Sequence, residues 1–218
     1  MRYQFDFSRI LDPVIWLDAI GITLSYAIGT ILCGLMIGVV CGILLLSPRA
    51  WLRAPINFYV QFFRCTPLLV QIVWFYYALP ILTGVNIPAT IAAGLGLTLY
   101  MGAFCSEIFR GGVISIDKGQ WNAARALGMS YLQMMRYIIL PQAARRMVPP
   151  FVNQSVLQLK NTSLLYVVAV PDIMYTGYEV TARTYRPLEV YTFVALIYFA
   201  ILYPATLFAK RLESRYDR

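Results

Sequence analysis

The sequence contains no histidine and very little charge. Only 13% of its residues are charged, whereas soluble domains carry roughly 25%. Histidine is the commonest metal ligand and the side chain that titrates closest to neutral pH, so its absence removes the usual apparatus of acid–base and metal-dependent catalysis. The composition therefore argues against a soluble enzyme.

Two further patterns are missing. None of the four cysteines stands in a CxxC spacing, which disfavours a zinc or redox site, and we interpret them as small apolar residues in helix packing. A phosphate-binding GxxxxGK[ST] loop is also absent, so the sequence predicts that the chain binds no ATP, metal or cofactor directly. The cysteines are Cys33, Cys41, Cys65 and Cys105.

Hydrophobic residues, in contrast, make up 60% of the chain and form long uninterrupted runs. Only helices or closed barrels satisfy the backbone in lipid, and continuous apolar runs favour helices. We predict an all-α integral membrane protein, one domain over residues 1–218, with about five transmembrane helices. The predicted spans cover residues 19–46, 66–82, 87–109, 138–170 and 190–208, and residues 171–189 are predicted to be polar and turn-rich. In the first span Gly34, Gly38 and Gly42 make two small-xxx-small steps, which permit close helix packing.

The cationic residues are distributed unequally between the two sides of the membrane that the five predicted spans define. Because Lys and Arg concentrate in cytoplasmic loops, the formal net charge of +8 indicates membrane orientation rather than nucleic-acid binding. The bias predicts an N-terminus outside and a cytoplasmic C-terminus. The cytoplasmic group comprises Arg49, Arg53, Arg64, Arg110, Lys118, Arg125, Arg136, Lys210, Arg211, Arg215 and Arg218, and the external group comprises Arg2, Arg9, Arg183 and Arg186.

The segment 117–141 is a polar, helix-forming stretch between apolar ones. Ala123 and Ala124 favour a helix without bulk, Gly128 permits a sharp reversal, and Pro141 suits the first turn of the next helix. We therefore predict a short cytoplasmic helix over 122–127, a turn at Gly128, and a spanning helix that begins near Ile138.

This segment resembles the cytoplasmic "EAA" loop of ABC importer permeases, in which Glu-Ala-Ala is followed after three residues by Gly and nine residues later by Ile-x-Leu-Pro. The matching residues are Ala123, Ala124, Gly128, Ile138, Leu140 and Pro141. The resemblance implies that a separate ATPase contacts Asn122, Ala123, Ala124, Arg125, Leu127, Gly128 and Met129.

Asn122 departs from the pattern, because the family usually has Glu there. One interpretation is that Asn122 caps the helix, a role that Asn fills well, and we favour it. The other interpretation is a weaker contact with the ATPase, because an amide carries no charge.

Three other stretches resemble the permeases of polar amino-acid importers: FFRCTPLLVQIVWFYYALP (62–80), IDKGQ (116–120) and LKNTSLL (159–165). The resemblance implies a type I importer permease in a bacterial inner membrane. It implies four partners: an ABC ATPase dimer that binds the ATP, a second permease copy or a related permease, an external substrate-binding protein, and a polar amino acid. The TSLLYVVAVPD and WFYYALP runs are most similar to glutamate/aspartate permeases.

The predicted fourth span carries an unusually polar run. An ionisable residue inside a membrane helix is a functional candidate by default, and Gln154, Gln158 and Asn161 recur at helical spacing, which predicts one polar stripe. Alternatively, Lys160 reaches the interface and the amides join helices. The candidate substrate-pathway residues are Gln154, Gln158, Lys160, Asn161, Thr162 and Ser163.

Two competing functions remain at this point. A self-sufficient secondary transporter or channel would often show internal repeats, and none is visible in 218 residues. A membrane enzyme would have only Glu107 and Lys160 as ionisable candidates near its spans, and we expect Glu107 to pair with Arg110 instead. We predict an ATP-driven importer permease that works by alternating access.

Overall fold

The computed structural model describes residues 5–7 and 12–216, and these contain helices and no strand. The all-α prediction is therefore confirmed. Arg2, Arg9 and Arg218, which entered the charge count, lie outside the described residues, as does the side chain of Arg215. The α-helices are α1 (Pro13–Leu45), α2 (Ala50–Cys65), α3 (Leu68–Val73), α4 (Leu79–Thr83), α5 (Ala89–Ile114), α6 (Lys118–Ala126), α7 (Tyr131–Met134), α8 (Leu140–Asn161), α9 (Ile173–Thr184) and α10 (Pro187–Tyr216).

Three shorter segments join these helices. π-Helical turns at Trp74–Ala78 and Met135–Ile139 connect α3 to α4 and α7 to α8. A 3-10 segment at Thr162–Val168 extends α8 and ends at Ala169, which adopts a left-handed conformation. Such turns make long helical stretches irregular, and π-turns often occur at functional positions.

Helices α1 and α5 form the centre of the bundle. Their backbones approach closely because α1 presents glycines to α5: a Cβ added to Gly38 would lie 2.3 Å from the Cβ of Cys105, and one added to Gly34 would lie 2.6 Å from the Cβ of Met101. The predicted small-residue contact surface is thus confirmed, with α5 as its partner.

A 108° bend separates α2 from the stretch Leu68–Thr83. Pro67 lacks the N–H that would continue the helix, and it disfavours helical geometry at Thr66. The amide Nε2 of Gln71 donates to the carbonyl of Phe63 at 2.9 Å and to the Oγ1 of Thr66 at 2.7 Å. The side chain of Gln71 therefore satisfies acceptors that the helix end would otherwise leave unpaired.

The membrane-length helices agree only in part with the predicted spans. Within residues 5–7 and 12–216, three helices are long and apolar enough to cross a bilayer, α1, α5 and Pro187–Leu212 of α10, and the bent pair α2–α4 would make a fourth. The predicted fourth span, residues 138–170, corresponds mainly to α8, which contains Pro149 and Pro150 and a polar run. Because α8 buries polar side chains inside the bundle, its average composition does not identify it as a span.

Two helices differ from the sequence prediction. Residues 50–65 were expected only as a cytoplasmic connection, yet they form α2, whose aromatic side is exposed at Trp51, Phe58 and Phe62. Residues 171–189 were expected to be turn-rich, yet they include α9. Asp172 caps α9 by accepting the N–H of Tyr175 at 2.8 Å, and an aspartate immediately before the first apolar helical residue is a recognised start signal that the prediction did not use.

The hydrophobic core contains separate clusters at the two ends of the helix bundle. At one end Trp16, Ala19, Ile173 and Val190 pack together. At the opposite end Phe109 of α5 joins a cluster with side chains from the segment 117–141 and from α8; its other buried members are Val113, Ile116, Ala124, Met134, Ile139, Ala143 and Met147. This second cluster attaches the predicted cytoplasmic segment to the spanning helices.

Candidate functional site

Helix α6 forms the first part of residues 117–141, the predicted coupling segment, and it starts four residues before the helix predicted over 122–127. Its N-cap is Asp117, whose Oδ1 accepts the N–H of Gly119 at 2.6 Å. Asn122 lies inside the helix and is exposed. The interpretation of Asn122 as a helix cap is therefore wrong, because Asp117 already occupies that position.

The turn after α6 favours a glycine. Gly128 has a φ of +70°, which L side chains rarely adopt. The N–H of Gly128 donates to the carbonyl of Arg125 at 2.9 Å, and the N–H of Met129 donates to the carbonyl of Ala124 at 3.2 Å. This pair of bonds is a Schellman motif, which ends the helix and holds the reversal at a defined angle.

The two faces of α6 have different surroundings. Asn122, Ala123 and Arg125 are exposed, and Leu127 is 78% exposed. Ala124, in contrast, is 3% exposed and packs in the chain's own core. A direct ATPase contact predicted for Ala124 is therefore contradicted, and its small side chain instead lets α6 lie close to the bundle.

The segment continues into α8 without a flexible link. Ser130 and Gln133 form a capping box at the start of α7, and the turn Met135–Ile139 leads directly into α8. The Nε2 of Gln142 also donates to the Oε1 of Gln120 at 3.2 Å. A displacement of α6 would thus be transmitted to α8 through contacts as well as through the chain.

Gln154 and Gln158 of the predicted pathway lie on the buried side of α8. Gln158 is completely buried, and its Nε2 donates to the Oγ1 of Thr30 at 3.1 Å and to the carbonyl of Leu97 at 2.9 Å. These bonds join α8 to α1 and α5. Gln158 therefore serves as an interhelical link within the chain.

Lys160 lies on the opposite side of α8 from these amides. It is exposed in the isolated chain, on the same face as Leu157. Asn161 and Ser163 are half-buried, whereas Thr162 is buried and donates to the carbonyl of Leu159 at 2.7 Å. The structure thus divides the candidate pathway residues into buried groups, of which Gln158 joins helices, and an accessible face that contains Lys160.

Glu107 pairs with Arg110, as the spacing suggested. The guanidinium of Arg110 donates two hydrogen bonds to the carboxylate of Glu107, from Nε to Oε1 at 3.1 Å and from Nη2 to Oε2 at 2.7 Å. Arg64 from α2 adds a third charge at 3.8 Å and lies over the ring of Phe104. The participation of Arg64 was not predicted, because it depends on how α2 crosses α5.

A buried carboxylate at Asp172 was also missed. Its side chain is 0% exposed, and its Oδ2 accepts the O–H of Tyr198 at 3.5 Å. Burial raises the pKa of Asp172 to about 6, against the opposing effect of the N–H donors at the start of α9. The pKa of this carboxyl group is therefore raised by burial on the side of the bundle away from α6.

The candidate residues lie in two places, the exposed side of α6 and the accessible face of α8 that contains Lys160. Among the described residues no group of three His, Cys, Asp or Glu side chains could hold a metal ion. Membrane-length helices form the bundle, and the exposed helix α6 is packed against one end of it through Ala124.

Comparison with known proteins gives the family. The profile of binding-protein-dependent transport system inner membrane components matches residues 34–218. The chain belongs to this family, whose members are transporter components rather than enzymes, and it is a multi-pass membrane permease. The alternatives of a self-sufficient secondary transporter and of a membrane enzyme are therefore set aside.

Individual relatives extend the match over almost the whole chain. The arginine transport system permease ArtQ of Bacillus subtilis is 35% identical over 216 residues, which cover 97% of each chain. The glutamate/aspartate import permease GltK of Escherichia coli O6:H1 is 34% identical over 224 residues, which cover 98% of this chain and 99% of that protein. The crystal structure of an amino acid ABC transporter with histidines superposes with a TM-score of 0.92 at 29% identity, covering 98% of this chain and 100% of that one.

Proposed function

We propose that the chain is the permease subunit of an ATP-driven importer of polar amino acids. The observation that carries the proposal is the exposed α6 surface, held by the Asp117 cap and the Gly128 turn in a chain whose relatives are amino-acid permeases. The chain would pair with a second copy or a related permease, since two-fold closure is the commonest symmetry of such assemblies.

The proposed partners act at opposite ends of the bundle. An ABC ATPase dimer binds ATP and receives the exposed residues of the coupling segment; a substrate-binding protein delivers the amino acid outside. The N-terminus lies outside and the C-terminus in the cytoplasm. The proposed ATPase contacts are Asn122, Ala123, Arg125, Leu127, Gly128 and Met129. Closure of the ATPase pair moves α6 and, through Gln120 and Gln142, α8.

An acidic amino acid is the proposed substrate. Lys160 is accessible and has no acidic partner among the described residues, so a substrate carboxylate would supply the missing negative charge. Asn161 and Ser163 would add hydrogen-bonding groups beside it. Gln154, Gln158 and Thr162 have a supporting role here, because they are buried within the bundle.

The test is amino-acid uptake into vesicles that contain the permease with its ATPase and binding protein. ATP-dependent accumulation of glutamate or aspartate is expected. Uptake of a cationic or neutral amino acid instead would keep the importer and reject the acidic substrate. Accumulation without ATP would contradict the proposal itself.

Lys160→Met tests the substrate assignment within the same assay. Removing the charge should raise the concentration needed for half-maximal glutamate uptake at least tenfold, because a hydrogen bond to a charged group contributes roughly 1.5–3 kcal/mol. Lys160→Arg, which keeps the charge, is the matched control and should retain most uptake. Equal kinetics in all three proteins would assign Lys160 to the membrane interface.

A further inference from the structure

Two cavities adjoin at the turn that follows α1. The first has a volume of about 730 Å³ and an apolar lining from α1, α2, α5 and the segment after α6, including Ile43, Leu52, Phe109 and Leu132. The second has a volume of about 710 Å³, and Leu46, Ser47 and Pro48 line both. Each volume falls within the roughly 300–1,000 Å³ typical of ligand sites.

The second cavity is polar and cationic. Arg53, Asn57, Gln61, Glu107 and Arg110 line it. Glu107 is already paired with Arg110, whereas Arg53 is exposed and has no ion-pair partner in the part of the chain that the structure describes. The cavity therefore has a positive charge that no described side chain neutralises.

The position of the two cavities relates them to the bilayer. They lie where the membrane-length helix α1 ends, at the end of the bundle that carries α6. Trp51, in the first turn of α2 two residues before Arg53, is 70% exposed, and exposed tryptophans concentrate at the membrane–water interface. An apolar cavity beside a cationic one at this depth matches a molecule with hydrocarbon and anionic parts.

We propose that the paired cavities bind an anionic phospholipid of the cytoplasmic leaflet. An acyl chain occupies the apolar cavity between Leu52 and Phe109, and the phosphate lies against Arg53, in the manner of basic pockets that hold acidic headgroups. Since Leu132 belongs to the segment that follows α6, the bound lipid contacts the coupling segment. The proposal rests on the proposed orientation of the bundle and is independent of the amino acid transported.

The test is lipid binding by the full-length permease in detergent, measured by native mass spectrometry with phosphatidylglycerol and phosphatidylcholine. Wild type should retain phosphatidylglycerol preferentially. Arg53→Gln should weaken that binding about fivefold, the effect expected for one interfacial cation, while Arg53→Lys preserves it. Arg211→Gln, an exposed arginine of α10, is the matched control and should change nothing.

Further measurements test whether a phospholipid or another ligand occupies the two cavities. Leu52→Trp should fill the apolar cavity and lower retention of the lipid, with an unchanged unfolding temperature as evidence that the protein is folded. Equal binding of both lipids by wild type, or full retention by Arg53→Gln and Leu52→Trp, would overturn the proposal. Competition by soluble glycerol phosphate, or displacement of the lipid by the ATPase, would also overturn it by assigning the cavities to another ligand. Because no ATP or amino acid is present, failure here leaves the transport proposal untouched.

Discussion

At the scale of single residues, Gly128 offers a sharp test of coupling. A Cβ at this position would meet nothing within 4 Å, so the only cost of a side chain is its φ of +70°. That cost is roughly 1–2 kcal/mol for an ordinary residue and less for Asn. Gly128→Val should therefore leave insertion intact but reduce ATP-dependent uptake roughly five- to thirtyfold, the factor that corresponds to this cost, whereas Gly128→Asn retains most of it. Equal uptake by the two variants would contradict the assignment of this turn.

Also at the residue scale, Asp172 should make the stability of the folded protein depend on pH. Burial raises its pKa to about 6, so between about pH 4 and pH 6 the folded protein holds a proton that the unfolded chain has released. Stability should fall as the pH rises through this window, by up to ~3 kcal/mol.

Asp172→Asn keeps the side-chain acceptor at the start of α9 but cannot ionise. Its unfolding temperature in detergent should therefore depend less on pH than that of wild type between about pH 4.5 and 6.5. An identical slope for the two proteins would show that Asp172 remains charged in the folded state throughout.

At the scale of elements, the contact between α1 and α5 depends on glycine. Gly38→Ala would place a methyl group 2.3 Å from Cys105 Cβ, and overpacking of this kind typically costs roughly 1–3 kcal/mol. Gly29→Ala in the same helix is the matched control, because nothing lies within 4 Å of its added Cβ. Unfolding in detergent should show a lower midpoint for Gly38→Ala alone. A similar loss in both variants would instead indicate a general effect of alanine in α1.

At the scale of the whole molecule, the proposed orientation can be measured directly. Leu127 on the coupling segment and Arg183 on α9 are both exposed and lie towards opposite ends of the bundle. In a background without the four native cysteines, a membrane-impermeant maleimide added to spheroplasts should label Arg183→Cys and not Leu127→Cys. The reverse labelling pattern would show the opposite topology and place α6 outside the cell, where the ATPase could not contact it.

Properties that depend on local sequence were predictable. The all-α membrane class followed from long apolar runs, because lipid leaves helices as the simplest structure for such segments. The turn at Gly128 followed from fixed spacing, since its hydrogen bonds connect residues only three to five positions apart. The glycine surface of α1 also followed from a helical repeat within one element.

Only the tertiary structure decided which groups meet and which faces are buried. Ala124 turns into the core, Gln158 bonds to residues 128 and 61 positions away, and Arg64 joins Glu107 across two helices. A repeat along one helix defines a stripe but does not say what that stripe faces. The separation of buried Gln158 from accessible Lys160, and the cavities beside α1, arise because helices distant in sequence pack side by side.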